Sequence, residues 1–352
     1  MIILTYGDQM NPGILPNALR RLNQLTYNDF ILLSVSILLV SITVFVTFAV
    51  AKTSDNTEDP GQLIQAMSES LRSLSYEGTF VTLSGTVLNT LKIKHVNDGT
   101  ETNEQLISLN GETREIFRNS ELVTCIWPNS QSVITMKAQE RIPGTGYDFT
   151  LNNNYHYRLL PEDRIAGRET FVVEIVADDT KRFSYRVWID KETKMLLKSM
   201  SLDDSGIPIE QVMFTDIRFG RDITIDNVSD KLEHLEFQTQ DYTEASAVSY
   251  STEKKVRFDV LPKGYRKVSE MNHPMPTVSD PVRHIFLTDG MASISVYVQF
   301  DYHPSDDSHV GLSKLGGIAA FGRRTGTAFT TVMGDVPAQT VRAVAHAVNI
   351  KD

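Results

Sequence analysis

The segment VLNTLKIK, residues 87–94, alternates apolar and polar side chains and predicts the fold around it. Val87, Leu91 and Ile93 fall on one side of an extended chain and Lys92 and Lys94 on the other, because successive side chains of a strand point to opposite faces. Turn-forming residues separate similar runs along the chain, which predicts one large, strongly twisted antiparallel sheet with one buried face. These runs are EQLISLN, REIFRN, ELVTCIW, SVITM, YHYRLL, TFVVEIVAD, FSYRVWID, MLLKSMSL and IEQVMFTDI.

A short helix is predicted just before this sheet. Apolar residues recur at helical spacing within residues 61–75, so one face of the helix is expected to pack on the sheet. They are Leu63, Ile64, Met67, Leu71 and Leu74. The predicted fold class is therefore α+β, with a large N-terminal curved antiparallel sheet and its helix over residues 61–221.

Four aliphatic residues are candidates for lining a lipid-sized cavity in this sheet. A curved sheet tends to enclose an apolar hollow, and Leu91 with Ile93, and Ile107 with Leu109, have the period-two spacing that places each pair on one face. The same spacing is also typical of plain core residues, so both interpretations stay open.

A second, smaller α+β domain is predicted over residues 253–352, after a polar connection at 222–252 that is a plausible hinge. Its last element is a helix that starts at Pro337, with Val341, Val344, Ala345 and Val348 as the buried stripe. Arg323 and Arg324 follow a glycine-rich stretch and are candidates for contacting an acidic or phosphate-bearing partner. The alternative is a solvated loop.

The first 51 residues are interpreted as a leader with an export signal. The run Phe30–Val50 has no charged residue, two arginines precede it, and Ala49 and Ala51 form an A-x-A pattern. Cleavage after Ala51 would leave residues 52–60 as a linker in a periplasmic protein. The run is also long enough for an uncleaved membrane anchor, and a true start at Met10 is possible.

Composition and motifs argue against most catalytic functions. The net charge is −10, and the acidic excess lies within residues 52–240, which opposes nonspecific nucleic-acid binding. The single cysteine, Cys125, is expected to be buried in a strand, and His95 is expected in the core. No motif for a catalytic serine, a zinc protease or a nucleotide loop is present, so we expect neither enzyme activity nor a cofactor. Two weak clusters, more simply explained as charged surface, are a metal-like group (Asp301, His303, Asp306, Asp307 and His309) and a carboxylate group (Glu104, Glu112 and Glu115).

Six segments, in order, carry a resemblance to a known family. They are SLSYEGTFV (73–81), EQLISLNGETREIFRNSELVTC (104–125), RVWIDKETKMLLKS (186–199), VLPKGY (260–265), FLTDGMASISVYV (286–298) and GDVPAQTVRAVAHAV (334–348). Together they resemble the RseB/MucB family of periplasmic regulators, over residues 61–350.

The resemblance implies a lipoprotein-carrier-like half-barrel in the N-terminal domain and an anti-sigma-binding C-terminal domain. It also implies a non-enzymatic function, in which the protein binds the periplasmic domain of a single-span anti-sigma factor. Binding shields that factor from regulated proteolysis and so represses an envelope-stress sigma factor, and lipid or lipopolysaccharide fragments prompt release. The alternative is a periplasmic lipid or lipoprotein carrier, and a secreted hydrolase is a third, weaker hypothesis. A homo-oligomer is possible.

Overall fold

The computed structural model describes residues 58–138, 151–232, 238–241, 254–273, 282–300, 302 and 310–351. The apolar run at 30–50, the predicted cleavage site after Ala51 and the metal-like group at 301–309 lie outside these residues. Among the described residues, no helix is both long and apolar enough to cross a membrane.

Helix α1 spans Pro60–Ser73, close to the predicted 61–75. The Asp59 side chain accepts a hydrogen bond from the Gly61 amide at 3.1 Å, and Pro60 stands in the first turn, where its missing N–H costs nothing. The predicted apolar stripe is buried: Leu63, Ile64, Met67 and Leu71 are at most 2% exposed. The helix is therefore held mainly by one apolar face on the sheet.

The large sheet has twelve strands, in the order β12-β6-β5-β4-β3-β2-β1-β11-β10-β9-β8-β7. All neighbouring pairs are antiparallel except β12 with β6, which is parallel. The strands are β1 Tyr76–Ser84, β2 Val87–Asn97, β3 Thr102–Ser108, β4 Glu115–Arg118, β5 Leu122–Trp127, β6 Ser132–Lys137, β7 Tyr155–Ile165, β8 Arg168–Ala177, β9 Ser184–Asp190, β10 Leu196–Leu202, β11 Pro208–Phe219 and β12 Gln238–Asp241.

This sheet is strongly curved. Strand β7 lies against β11, although three strands separate them in the sheet order. The Arg168 guanidinium at the start of β8 stands 5.3 Å from the centre of the Phe219 ring at the end of β11. We call the face that α1 covers the inner face and the opposite one the outer face. The predicted large curved antiparallel sheet is confirmed.

The predicted connection at 222–252 is packed structure over its first part, which we call the strap (residues 222–232). It contains helix α2, Val228–Leu232. Ile225, Val228 and Leu232 pack on Phe117, Ile126 and Val133 of the outer face. The polar composition of residues 222–252 predicts an interdomain connection, and within it widely spaced aliphatic residues give the strap an apolar side. Residues 242–253 lie outside the described part.

The C-terminal unit is a six-stranded antiparallel sheet, in the order β14-β15-β16-β19-β18-β17, with a helix on one face. Its strands are β14 Arg266–His273, β15 Val282–Thr288, β16 Ser293–Gln299, β17 Gly311–Leu315, β18 Ile318–Thr325 and β19 Ala328–Gly334; β13 Lys255–Phe258 pairs with β20 Val348–Lys351. Helix α3, Ala338–Ala347, begins directly after Pro337 and buries Val341, Val344 and Ala345 against the sheet. The predicted smaller α+β unit is confirmed.

Candidate functional site

The four residues predicted to line a cavity separate into two pairs on opposite faces. Leu91 (2% exposed) and Ile93 (5% exposed) are buried on the inner face. Ile107 is the cross-strand partner of Lys92, so its side chain faces the outer side. The Leu109 N–H donates to the Thr90 carbonyl, which continues the pairing, and Leu109 therefore faces the same side as Ile107. Leu109 is 52% exposed. The predicted set of four is therefore divided, with Leu91 and Ile93 on the inner face and Ile107 and Leu109 on the outer face.

The inner face beneath α1 carries an aromatic cluster. The Tyr76 and His95 rings stack with centroids 4.8 Å apart, and Phe80 packs against Phe214 at 5.5 Å. His95 is fully buried, and its Nδ1 lies 2.8 Å from the Leu74 carbonyl oxygen at the end of α1. Because that oxygen is an acceptor, Nδ1 carries the proton. The expected core position of His95 is confirmed, and the ring ties α1 to β2.

The two sheets meet at a junction centred on Arg182, in the turn between β8 and β9. Its side chain is fully buried and donates to Asp289 Oδ2 at 2.7 Å, and Asp289 is fully buried as well. The guanidinium also donates to the Lys263 carbonyl at 2.6 Å and to Asp179 at 3.2 Å. Asp289 and Lys263 belong to turns of the C-terminal sheet, so one arginine holds two of its turns.

Two tyrosines enclose this ion pair. The Arg182 guanidinium stands 5.6 Å from the Tyr155 ring centre and 5.2 Å from that of Tyr265. Burial raises the pKa of both phenols well above the ordinary value, so each stays a neutral hydrogen-bond donor. The Tyr155 hydroxyl lies 3.4 Å from Asp289 Oδ2. The aromatic walls exclude water, which makes the charge pair dependent on exact geometry.

Polar contacts extend the junction on both sides of Arg182. The Thr340 hydroxyl in α3 donates to the Lys181 carbonyl at 2.9 Å, and Asn152 donates to the Asp289 carbonyl at 3.1 Å. Gly264 has φ +89°, and a Cβ there would lie 2.4 Å from Nδ2 of the Asn154 side chain, so this turn requires glycine. The junction is therefore a mainly polar surface built from turns.

A cleft of about 390 Å³ opens beside the junction, between the β8–β9 and β10–β11 turns. Its lining is charged and includes Arg158, Glu174, Asp178 and Asp204. Burial opposes ionisation of Glu174, but hydrogen bonds from Arg186 and Arg158 outweigh it and lower the pKa of that carboxyl. A charged lining does not suit an acyl chain.

The two arginines predicted to contact a partner have different surroundings. Arg323 donates to the Ala345 carbonyl at 3.1 Å and to the His346 carbonyl at 3.3 Å, so it caps the C-terminus of α3. Arg324 is exposed, and its Nε lies 3.3 Å from the Gly326 carbonyl oxygen. Arg323 is thus largely committed within the protein, and Arg324 faces solvent.

Two members of the predicted carboxylate group lie on opposite faces of the large sheet. Glu104 lies on the inner face opposite His95, whereas Glu115 lies on the outer face, bonded to Gln105 and Lys231. Within the described ranges, no group of three or more His, Cys, Asp and Glu side chains could hold a metal ion. Cys125 is buried as expected, and burial raises the pKa of its thiol.

Sequence patterns did not reveal the junction. Arg182 and Asp289 are 107 residues apart, and each stands in a polar turn segment that is also typical of solvent-exposed loops. The one available local signal is an arginine that follows the pair Asp178–Asp179 by three residues, next to a strand. That pattern is too common to predict a buried ion pair.

The structure therefore defines a protein with two main sheets, in which a helix covers the inner face of the large curved sheet and turns dock the smaller, six-stranded one. Two family models match the chain, the MucB/RseB N-terminal domain over residues 59–232 and the MucB/RseB C-terminal domain over residues 250–349. The protein belongs to the MucB/RseB family, as the sequence resemblance predicts.

Curated relatives and a solved structure agree with this assignment. The sigma-E factor regulatory protein RseB of Escherichia coli (strain K12) is 27% identical over 311 residues, covering 84% of this chain and 91% of the relative. The sigma factor AlgU regulatory protein MucB of Pseudomonas aeruginosa is 28% identical over 301 residues, covering 82% and 90%. A crystal structure of MucB in complex with MucA(peri) superposes with a TM-score of 0.59 at 23% identity, covering 84% of this chain and all of that one. The relatives are regulatory proteins by name.

Proposed function

We propose that this protein is a periplasmic negative regulator that binds the periplasmic domain of a membrane anti-sigma factor. Bound, it protects that factor from regulated proteolysis and keeps the envelope-stress sigma factor repressed. The match of both family domains, in order, carries the proposal. MucB, which shares the fold, has been crystallised with MucA(peri), and this supports a protein partner for the present chain.

The junction supports a mechanism of release. The two sheets are joined by polar turns around the Arg182–Asp289 pair, so a second arrangement of the sheets exposes charged groups that water solvates well. A lipid that prefers one arrangement and an anti-sigma factor that prefers the other would oppose each other, because only differential affinity shifts such an equilibrium. We place the acyl chain on the inner face, near Leu91 and Ile93, where it would compete with α1.

A protection experiment tests the proposal directly. The purified protein is mixed with the periplasmic domain of the anti-sigma factor from the same organism, and cleavage by the site-1 protease of the pathway is followed with time. We expect cleavage to slow at saturating protein and to recover on addition of lipopolysaccharide fragments. Unchanged cleavage at saturation would refute the regulatory proposal.

The carrier alternative predicts a different outcome. A carrier should transfer an acylated cargo between vesicles without affecting cleavage of the anti-sigma domain. The C-terminal sheet, docked on the N-terminal one through buried contacts, favours regulation, because a minimal carrier lacks this second domain.

Cell fractionation tests whether the export signal is cleaved. The chain should be found in the periplasmic fraction if the signal is removed and in the membrane fraction if it stays as an anchor.

A further inference from the structure

The two edges of the C-terminal sheet differ over the part of the chain that the structure describes. At the first edge, β14 has a bulge between Lys267 and Ser269, and its Glu270 pairs with Lys267 at 2.7 Å and with Arg283 at 2.9 Å. Bulges and charges at an edge are the usual means by which proteins prevent strand addition. At the opposite edge, within the described residues, β17 pairs only with β18, and its register is regular.

The middle of β17 is exposed along this second edge. Leu312, Ser313 and Lys314 all face solvent, and Leu312 is 41% exposed. The preceding Val310 is 52% exposed. Exposed aliphatic residues two positions apart, beside an edge with only one charged side chain, are typical of a surface that receives a strand rather than one that repels it.

The hairpin register identifies the free backbone groups. Leu315 and Ile318 are paired across the two-residue turn Gly316–Gly317, and Gly316 has φ +60°, as the first position of such a turn requires. The pair that closes a two-residue hairpin is hydrogen-bonded, and bonding then alternates along the strand. Ser313 therefore bonds inward to Ala320, whereas the N–H and C=O groups of Leu312 and Lys314 point away from the sheet.

The side chains along this edge indicate what kind of strand would fit. Leu312 is paired with Phe321, which packs on the core beneath α3, and the Arg342 guanidinium of α3 stands 5.6 Å from the Phe321 ring centre. The α3 side of the edge thus offers two aliphatic contacts, Val310 and Leu312, bordered by the cations of Lys314 and Arg342. An extended segment with alternating aliphatic residues and flanking acids is complementary to this surface.

We propose that the edge of β17 is a strand-addition site for an extended aliphatic and acidic segment of the anti-sigma factor's periplasmic domain. The inference rests on the proposed function, and it adds the mode of recognition. The incoming segment pairs its backbone with Leu312 and Lys314 and extends the six-stranded sheet to seven strands. Its aliphatic side chains contact Val310 and Leu312.

A proline at position 314 tests the site with little change to the fold. Lys314→Pro removes an outward N–H that the sheet does not use, and edge strands tolerate proline at such positions. Lys314→Ala is the matched control, because it removes the charge and keeps the N–H. Affinity for the purified periplasmic domain of the anti-sigma factor is measured by calorimetry with the full-length protein. We expect binding about tenfold weaker for the proline variant and within about threefold of wild type for the alanine variant.

Hydrogen exchange on the unmodified protein gives a second readout that needs no variant. The amides of Leu312 and Lys314 should exchange fast in the free protein and become protected in the complex. Equal binding by both Lys314 variants, with these amides unprotected, would overturn the edge site while leaving the proposed function intact. No binding by wild type would refute the proposed function and the site together. A dimer that Lys314→Pro dissociates, with unchanged anti-sigma binding, would assign the edge to a second copy of the chain and also overturn the inference.

Discussion

Arg182 shows how one side chain can make a contact between two sheets specific. Taking a guanidinium and a carboxylate out of water is costly, and the pair recovers that cost only with good geometry and additional hydrogen bonds. Both are present, since Arg182 also bonds to the Lys263 carbonyl and Asp289 accepts from the amides of Met291 and Ala292. The pair therefore contributes more to the specific way in which the two sheets dock than to the net stability of the protein.

Removing one partner of this pair should be strongly destabilising. We expect Arg182→Met and Asp289→Asn each to lower the free energy of unfolding by about 3 kcal/mol. The first leaves the buried Asp289 carboxylate without a cation, and the second leaves the buried Arg182 with only the partly exposed Asp179 as a counter-charge. The double variant should lose less than the sum of the two, by at least about 1 kcal/mol. Urea denaturation measures all three, with the exposed Arg257→Met as control. Strictly additive losses would contradict a direct interaction.

Arg323 and Arg324 are consecutive residues of β18, and comparing their alanine variants separates a helix-capping arginine from an exposed one. Arg323→Ala should lower the free energy of unfolding by about 1 kcal/mol, because the last carbonyl groups of α3 lose their donor. Arg324→Ala should change it by less than about 0.5 kcal/mol, as is usual for an exposed side chain. Thermal or urea denaturation compares the two variants, and an equal effect would contradict the cap.

At the scale of elements, the strap is held by charge as well as by its apolar side. Asp226 accepts hydrogen bonds from Lys94 at 2.8 Å and from Gln105 at 3.0 Å, and Lys231 Nζ lies 3.2 Å from its second oxygen. The hydrogen bond from Lys94, followed by that from Gln105, holds the pKa of Asp226 well below its usual range. The stability that these contacts give to the strap should consequently depend on pH.

We expect Asp226→Asn to lower the thermal midpoint at neutral pH and to have little effect in strong acid. A carboxyl whose pKa is lowered by folding stabilises the protein above its unfolded pKa of about 3.9 and loses that contribution as the pH falls towards the folded value. The difference between wild type and variant should therefore shrink below about pH 4. Asp230→Asn, exposed on the same strap, is the control. A difference that is constant from pH 7 to 2 would contradict this account.

Local patterns predicted elements well and their arrangement poorly. The apolar spacing of α1 and the alternation of Leu91 and Ile93 depend on neighbours in sequence, and the structure confirms them. The face of Ile107 and Leu109 depends on the register between β2 and β3, which a single strand does not specify. Likewise the strap and the Arg182–Asp289 pair depend on contacts across more than 100 residues. These long-range contacts make up the candidate site.

At the scale of the whole molecule, the junction should determine whether the two sheets unfold together. The C-terminal sheet has a core of its own, built from residues of β15, β16, β19 and α3. Two units with separate cores unfold in one transition only while the contact between them is strong enough to couple them. Separating the two sheets would break the buried Arg182–Asp289 pair, which is costly, so the junction should couple their unfolding. We therefore expect wild type to unfold in a single calorimetric transition at neutral pH.

Weakening the junction should separate that transition into two. In the double variant Arg182→Met with Thr340→Val, the Asp289 pair and the hydrogen bond from α3 to the Lys181 carbonyl are both lost, while neither sheet loses a strand. Scanning calorimetry should then resolve two peaks, and the isolated change Thr340→Val should not. A single peak that merely moves to lower temperature would show that other contacts couple the sheets, and the polar junction would then not be the element that allows a second arrangement. Two peaks, together with faster proteolysis of the anti-sigma domain in the presence of the double variant, would connect the junction to protection itself.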